Sequence, residues 1–191
     1  MDEIRKLLKR IADSVNAAQA HYQIWFTLRG KGKALPEYYD DMDDYRYVDF
    51  FHASNTGHYK LMIIELGCLF DSDIRSASMR NLKTKLDDAG QDELVSKIDI
   101  ALKDYKRLVS NILTIRSKLI AHKEIGALSE EVHTKNGIIP NEVGKLIGVC
   151  CALINELNKK IFHDQQSLTG GIDRFERATI ELLEALRRGR S

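Results

Sequence analysis

The sequence predicts an all-α protein, an antiparallel helical bundle. Apolar residues recur at three- and four-residue spacing over long stretches, the period of one helix face. Proline occurs twice, at Pro36 and Pro140, so the segments between and beyond can run as uninterrupted helix. No convincing strand alternation, internal repeat or low-complexity tract competes with that reading.

The first helix is expected over residues 1–30. Ile4, Leu7, Ile11, Ala18, Tyr22 and Trp25 form its apolar stripe, and Lys, Arg and Asp fill the other face. Gly30, Gly32 and Pro36 end it. The acidic cluster Asp40, Asp41, Asp43 and Asp44 suits the positive end of a following helix. That second helix is expected from about Tyr45 to about Phe70. Phe50, Ser54, Gly57, Leu61, Ile64 and Cys68 mark its expected inner face, with Ser54, Gly57 and Gly67 small enough to admit a neighbouring backbone.

The stretch DSDIRSASMRNLKTKLDDAG reads as a loop and then a short helix stopping at Gly90. From Asp92 to about Lys123 the pattern is helical, with a break near Asp104. Two stripes there, Leu108, Ile112, Ile115, Leu119 and Val109, Leu113, Ile120, predict a buried helix. GALSEEVHTKNGIIP is a connector whose strongest turn signal is Asn136-Gly137. A further helix begins at Pro140 or Asn141 and reaches about His163. Gly170-Gly171 interrupts the chain, and Asp173 with Glu176 resembles a capping box that opens an amphipathic last helix, Phe175 to Arg188.

A length of 191 residues fits one domain: an N-terminal helix over 1–30, a core over 45–163 and a C-terminal helix over 172–189. The composition, 43% hydrophobic and 30% charged, is that of a globular protein. A net charge of +1 argues against a protein that coats polyanions, and leaves room for a local pocket gripping one or two phosphates. Three cysteines, two of them adjacent at Cys150 and Cys151, make neither a disulfide framework nor a metal spacing. The charged start MDEIRKLLKR lacks a signal-peptide core, and no apolar run is long enough to span a bilayer. A cytoplasmic location without membrane attachment is expected.

Chemistry concentrates in Thr114-Ile115-Arg116-Ser117-Lys118-Leu119-Ile120-Ala121-His122-Lys123. Arg116 lies in the most apolar helix and needs a carboxylate or an anionic ligand there. Glu65 or Asp71, on or just past the second helix, can neutralise it. His122 continues the stripe of Ile112, Ile115 and Leu119. A guanidinium stabilises charge developing on a phosphate, and an imidazole moves protons near neutral pH. RNA carries its own nucleophile in the 2′-hydroxyl, so this chemistry needs no metal. On a regular helix Arg116 and His122 stand about 120° apart. The helix therefore changes between them, or the Arg side chain wraps round, or two copies form a joint site.

Arg, five residues and then His in RSKLIAH resembles the signature of the HEPN superfamily. RSKLIAHKE, with LMIIELGCLFDSD and SASMRNL before it, is similar to its U-type abortive-infection (AbiU2-like) branch, over roughly Tyr45 to Ile161. The resemblance implies a four-to-five-helix core, often dimeric with paired motifs about a two-fold axis. It also implies a metal-independent RNase of a phage-defence or toxin–antitoxin system. By it Arg116 would bind the scissile phosphate and His122 would be the general acid or base. RNA would be the substrate, a second copy the partner, and an antitoxin or defence protein a further one. Ser117 stands where active relatives often carry Asn, Asp or His. It hydrogen-bonds but does not ionise. The Tyr that follows the His in toxins paired with a nucleotidyltransferase antitoxin is missing.

The alternatives are a non-catalytic nucleotide- or protein-binding module, and an unrelated bundle in which Arg116 is only an ion-pair residue. His58 reads as a structural histidine. His21, His52, His133 and His163 have no ligand spacing, so neither metal nor cofactor is implied. Arg29, Lys31 and Lys33 lack a P-loop pattern, and Arg187, Arg188 and Arg190 form a basic end.

Overall fold

The computed structural model describes residues 1–29, 36–121, 129–170 and 173–190, and among them it is all-α with no strand. The chain divides into two compact units, the first of residues 1–18 and 63–170, the second of 19–62 and 171–191. Helix α1 (Asp2–Leu28) and helix α3 (Val48–Leu69) each contribute residues to both.

In the first unit α1 buries Ile4, Leu8, Ile11 and Val15. Leu8 and Val15 lie outside the stripe expected from sequence, while Leu7 is only half-buried, so the inner face is rotated by part of a turn. Helix α4 (Met79–Asp88) is capped by Ser78, whose Oγ accepts the Asn81 N–H at 3.4 Å, and ends before Gly90, which takes φ +66°. That left-handed conformation costs least at glycine. Helix α5 (Asp92–Leu102) packs on α4 and on α8 (Pro140–Phe162). Lys97–Glu156 and Lys160–Glu93 ion pairs join α5 to α8. The break expected near Asp104 is a 3-10 turn, Lys103–Tyr105, leading into α6 (Lys106–Ile115).

Helix α6 buries Leu108, Ile112 and Ile115, but Val109 and Leu113 are only half-buried. It is amphipathic, with Ser110 exposed, rather than enclosed on all sides. At Arg116 the hydrogen bonding changes and Arg116–Ala121 is a π-helix. The connector expected after it contains a short helix, α7 (Ser129–Lys135), which lies against the π-helical segment.

In the second unit the end of α1, the 3-10 turn Pro36–Tyr38 with short helix α2 (Tyr39–Met42), the first part of α3 and α9 (Arg174–Arg190) supply the core. Leu28, Tyr38, Met42, Phe51 and Leu183 form its buried cluster, with Ile24, Tyr47 and Leu186 packed against it. Helix α3 starts at Val48, later than expected, because Asp44 takes up the preceding backbone. Its side chain accepts the Arg46 N–H and its carbonyl accepts the N–H groups of Tyr47 and Val48.

The inner face of α3 also differs from the expected one. Phe51 and Met62 are buried in the second unit and Ile63, Leu66 and Leu69 in the first, whereas Phe50 and Leu61 are exposed. Apolar residues lie on all sides of α3, so its sequence does not distinguish core from surface. The cap expected from Asp173 and Glu176 is supplied instead by Gln23 of α1. Its buried side chain accepts the Phe175 N–H at 3.0 Å, meeting an otherwise orphaned donor of the first turn of α9.

Candidate functional site

The site in the first unit is built where α6 ends against the last turn of α3. Arg116 follows directly on the buried stripe of α6, and its aliphatic stem crosses α3 at Gly67. A Cβ at Gly67 would stand 2.1 Å from Arg116 Cδ and 3.2 Å from its Cγ, so only glycine leaves room for the stem. Arg116 Nη1 donates to the Gly67 carbonyl at 3.1 Å and to Asp71 Oδ2 at 2.8 Å. Near the end of α3 the Asp71 N–H turns to the Cys68 carbonyl. The Gly67 carbonyl is thereby left to a side chain, and a cation suits the negative end of the helix.

Asp71 is fixed from two sides. Its Oδ1 accepts the Asp73 N–H at 2.9 Å while Oδ2 holds Arg116. Those two bonds, the Asp73 N–H first and then the guanidinium, hold its carboxyl below the usual range. The loop beyond is closed by its own polar groups. Asn81 Nδ2 donates to the carbonyls of Asp73 and Ser76, and Arg75 forks onto both oxygens of Asp73. Asp71 therefore holds Arg116 from a braced support.

Arg116 keeps 27% of its side-chain surface exposed, so it is not the fully buried charge its apolar helix suggests. The reason is position: it sits at the end of α6, beside the buried stripe. Among the described residues no acceptor meets Nε or Nη2. A guanidinium held by one nitrogen presents its remaining edge for a second, two-point contact with an oxyanion. Ser117 is exposed beside it. Of the two carboxylates expected to meet Arg116, Asp71 does so. Glu65, half-buried on α3, makes no hydrogen bond or ion pair among the described residues. His122 lies outside the described residues.

The HEPN_AbiU2 family model matches residues 1–182. The chain belongs to the AbiU2 family of HEPN proteins. No curated protein and no solved structure matches it. The family match takes in α1 and the first half of α9 as well as the segment that carries the motif, so it spans all of the first unit of this AbiU2-family chain and most of the second.

Other candidate groups of the AbiU2-family chain fall into structural roles or outside the described residues. Burial raises the thiol of Cys68, against the opposing pull of Arg116, and burial likewise raises Cys150 and Cys151, so none is an activated nucleophile. Arg187, expected as part of a basic tail, donates to the buried Asp41 at 2.9 and 2.8 Å and lies 4.2 Å over the Tyr38 ring. Arg29 stacks over Trp25, and Lys31 and Lys33 lie outside the described residues. Among the described residues no three His, Cys, Asp or Glu side chains cluster as metal ligands, and no helix is long and apolar enough to cross a membrane.

Two features escaped the sequence. Gly67 reads from the sequence only as a small residue, without its partner. In the second unit, His21 and His58 meet Nδ1 to Nδ1 at 2.9 Å, with ring centroids 5.1 Å apart. Burial lowers both pKa values, and the neighbouring His21 charge lowers His58 further. Residues on separate helices show no common spacing, so no sequence signal pointed to this pair.

Proposed function

We propose that this AbiU2-family protein is a metal-independent endoribonuclease of a phage-defence or toxin–antitoxin system, acting in the cytoplasm as a homodimer. The observation that carries the reading is the single-nitrogen anchorage of Arg116. Asp71 and the Gly67 carbonyl aim the guanidinium through Nη1, and among the described residues nothing occupies Nε and Nη2, which would meet a phosphate. Arg116 holds the scissile phosphodiester and offsets the charge that builds on its oxygens. The 2′-hydroxyl attacks phosphorus, the O2′–P bond forms, and the P–O5′ bond breaks. The products are a 2′,3′-cyclic phosphate and a 5′-hydroxyl. His122 moves the proton, either from the attacking hydroxyl or to the leaving oxygen, and a second copy can supply the complementary step. Ser117 hydrogen-bonds the same phosphate without ionising. An antitoxin or other defence protein would hold the enzyme in check.

The bonding of Arg116 to Asp71 also favours a second reading, a non-catalytic module in which that ion pair only stabilises the end of α3. Cleavage of mixed RNA in the presence of EDTA separates the two. Wild type is expected to leave cyclic-phosphate ends. Arg116→Ala and His122→Ala are each expected to lose at least about a hundredfold in rate while remaining folded. No cleavage by wild type across several RNAs would leave the binding module standing. Equal cleavage by all three proteins would remove Arg116 and His122 from the mechanism.

A further inference from the structure

Beside the loop that braces Arg116, the first unit holds a cavity of about 410 Å³ between α1 and residues 75–77. Its walls carry four cations, Lys6, Lys9, Arg10 and Arg75, against one carboxylate, Glu3. Glu3 is taken by Lys85 of α4 at 3.1 Å. Lys6, Lys9 and Arg10 are exposed and make no hydrogen bond or ion pair among the described residues, so Asp2 and Asp13, one turn before and after them, neutralise none of the three. Arg75 forks onto Asp73 through Nε and Nη2, at 3.0 and 2.7 Å, and nothing occupies its Nη1 among the described residues. Spacings of three and four residues set Lys6, Lys9 and Arg10 side by side on α1. Like charges so placed repel, which costs the free protein stability that a bound anion restores.

The cavity wall and the seat of Arg116 share one braced loop. Asp71, which holds Arg116, accepts the Asp73 N–H, and the Asp73 carbonyl accepts the Ser76 N–H at 3.0 Å. Asn81 clamps the carbonyls of Asp73 and Ser76 at 2.8 and 2.7 Å. Two residues span at most about 7 Å, and a hydrogen-bonded four-residue turn brings its ends within about 7 Å. Ser76 therefore stands no more than about 14 Å from Asp71. That is a few nucleotides of an extended strand, so one polyanion can meet both places. Apart from Leu7 and Ala77 the lining is polar, with no aromatic ring on which a base would stack. What it offers is charge to a sugar–phosphate backbone, without regard to sequence.

We propose that this cavity is a second phosphate-binding subsite. In it Lys6, Lys9, Arg10 and the open edge of Arg75 take backbone phosphates of the RNA strand, a few nucleotides from the phosphate at Arg116. The proposal rests on the ribonuclease reading for the identity of the strand, and on α1 and its neighbouring loop for where the strand runs. Contacts of this kind position a substrate and leave the choice of bases to other groups.

Fluorescence anisotropy of the full chain with a labelled 2′-O-methyl oligoribonucleotide, which has no nucleophile and cannot be cut, tests it over a series of salt concentrations. Wild type is expected to bind with an affinity that falls as salt rises. Replacing Lys6, Lys9 and Arg10 together by alanine is expected to weaken binding at least about tenfold at low salt, with unchanged circular dichroism. Each lost phosphate contact removes about 0.7 from the slope of log K against log salt, so three remove about 2. Lys103→Ala with Lys106→Ala serves as the control, because those exposed cations line a cavity that also holds Asp87, Asp92 and Asp99. It is expected to bind as wild type does. Equal affinity and slope for wild type and the triple variant would overturn the proposal, as would a comparable loss in the control. So would a wild type that binds no oligonucleotide at low salt. Cleavage of ordinary RNA is read separately. Normal cleavage with binding indifferent to the triple substitution keeps the ribonuclease and removes the subsite, and binding through the cavity without any cleavage does the reverse.

Discussion

Gly67→Ala isolates the seat of Arg116 from ordinary helix energetics. A glycine inside a helix costs about 1 kcal/mol relative to alanine, so replacing it gains that much wherever the new methyl has room. Gly148 in α8 is such a place, because a Cβ there meets nothing within 4 Å. In a protein of this size a gain of about 1 kcal/mol raises Tm by about 2–4 °C. At Gly67 the same methyl would stand 2.1 Å from Arg116 Cδ, so the stem must leave α3. The bonds to the Gly67 carbonyl and Asp71 go with it. For a pair about a quarter exposed, their loss costs about 1–2 kcal/mol, which cancels or exceeds the propensity gain. Gly148→Ala is thus expected to melt higher than wild type and Gly67→Ala at or below it. The two should be separated by several degrees in a thermal unfolding scan followed by circular dichroism. Gly67→Ala is also expected to lose RNA cleavage, while Gly148→Ala keeps it. If both substitutions stabilise equally, the packing of Arg116 across Gly67 is wrong.

Other expectations follow from the same contacts. Because the Asp71 carboxyl titrates below its ordinary value, its contribution to stability is complete above the unfolded carboxylate pKa of about 3.9. It is lost as pH falls through the lower folded value. Asp71→Asn should therefore flatten the acid limb of a stability–pH curve, and an unchanged limb would count against the Arg116–Asp71 bond. His21 and His58 are likewise depressed, so the stability they contribute is complete above about pH 6.5 and declines as pH falls below it toward their folded values. Denaturant titrations of His58→Gln should show a weaker loss than wild type over that interval. Arg187→Ala takes the guanidinium from the buried Asp41 and should lower the melting temperature measurably. Filter binding to RNA should change little, and a large loss of RNA affinity would return Arg187 to the basic tail read from sequence.

Legibility in the sequence followed how local each signal was. The start of α8 at Pro140, the stop of α4 before Gly90 and the 3-10 break at Lys103–Tyr105 are written in single residues or short patterns. Those boundaries appear close to where the pattern puts them. Faces were harder. On α1 a stripe drawn through Leu7 passes beside Leu8 and Val15, which are the residues in the core. On α3 the face read as inner is in part the open one, because apolar residues surround the helix and only tertiary packing selects among them. Within the site, Arg116 and the two carboxylates able to meet it were visible from charge in an apolar context. The choice of Asp71 over Glu65 was not, since it depends on how the chain turns after Leu69. Gln23 at the start of α9 and the His21–His58 pair share that limit. Each joins residues distant in sequence, and nothing in the spacing of either partner announces the other.

The π-helical segment at Arg116–Ala121 has a consequence for how the motif tolerates change. A turn closed five residues back holds one residue more than an α-turn, yet the chain leaves it in much the same direction. Deleting one residue from such a turn relaxes it to ordinary helix instead of swinging everything downstream by about 100°. The HEPN signature that RSKLIAH resembles has four to six residues between its arginine and its histidine, and this chain has five. A turn that stores or releases one residue acts as slack in the chain, so the interval can lengthen or shorten without dismantling the helix that carries it.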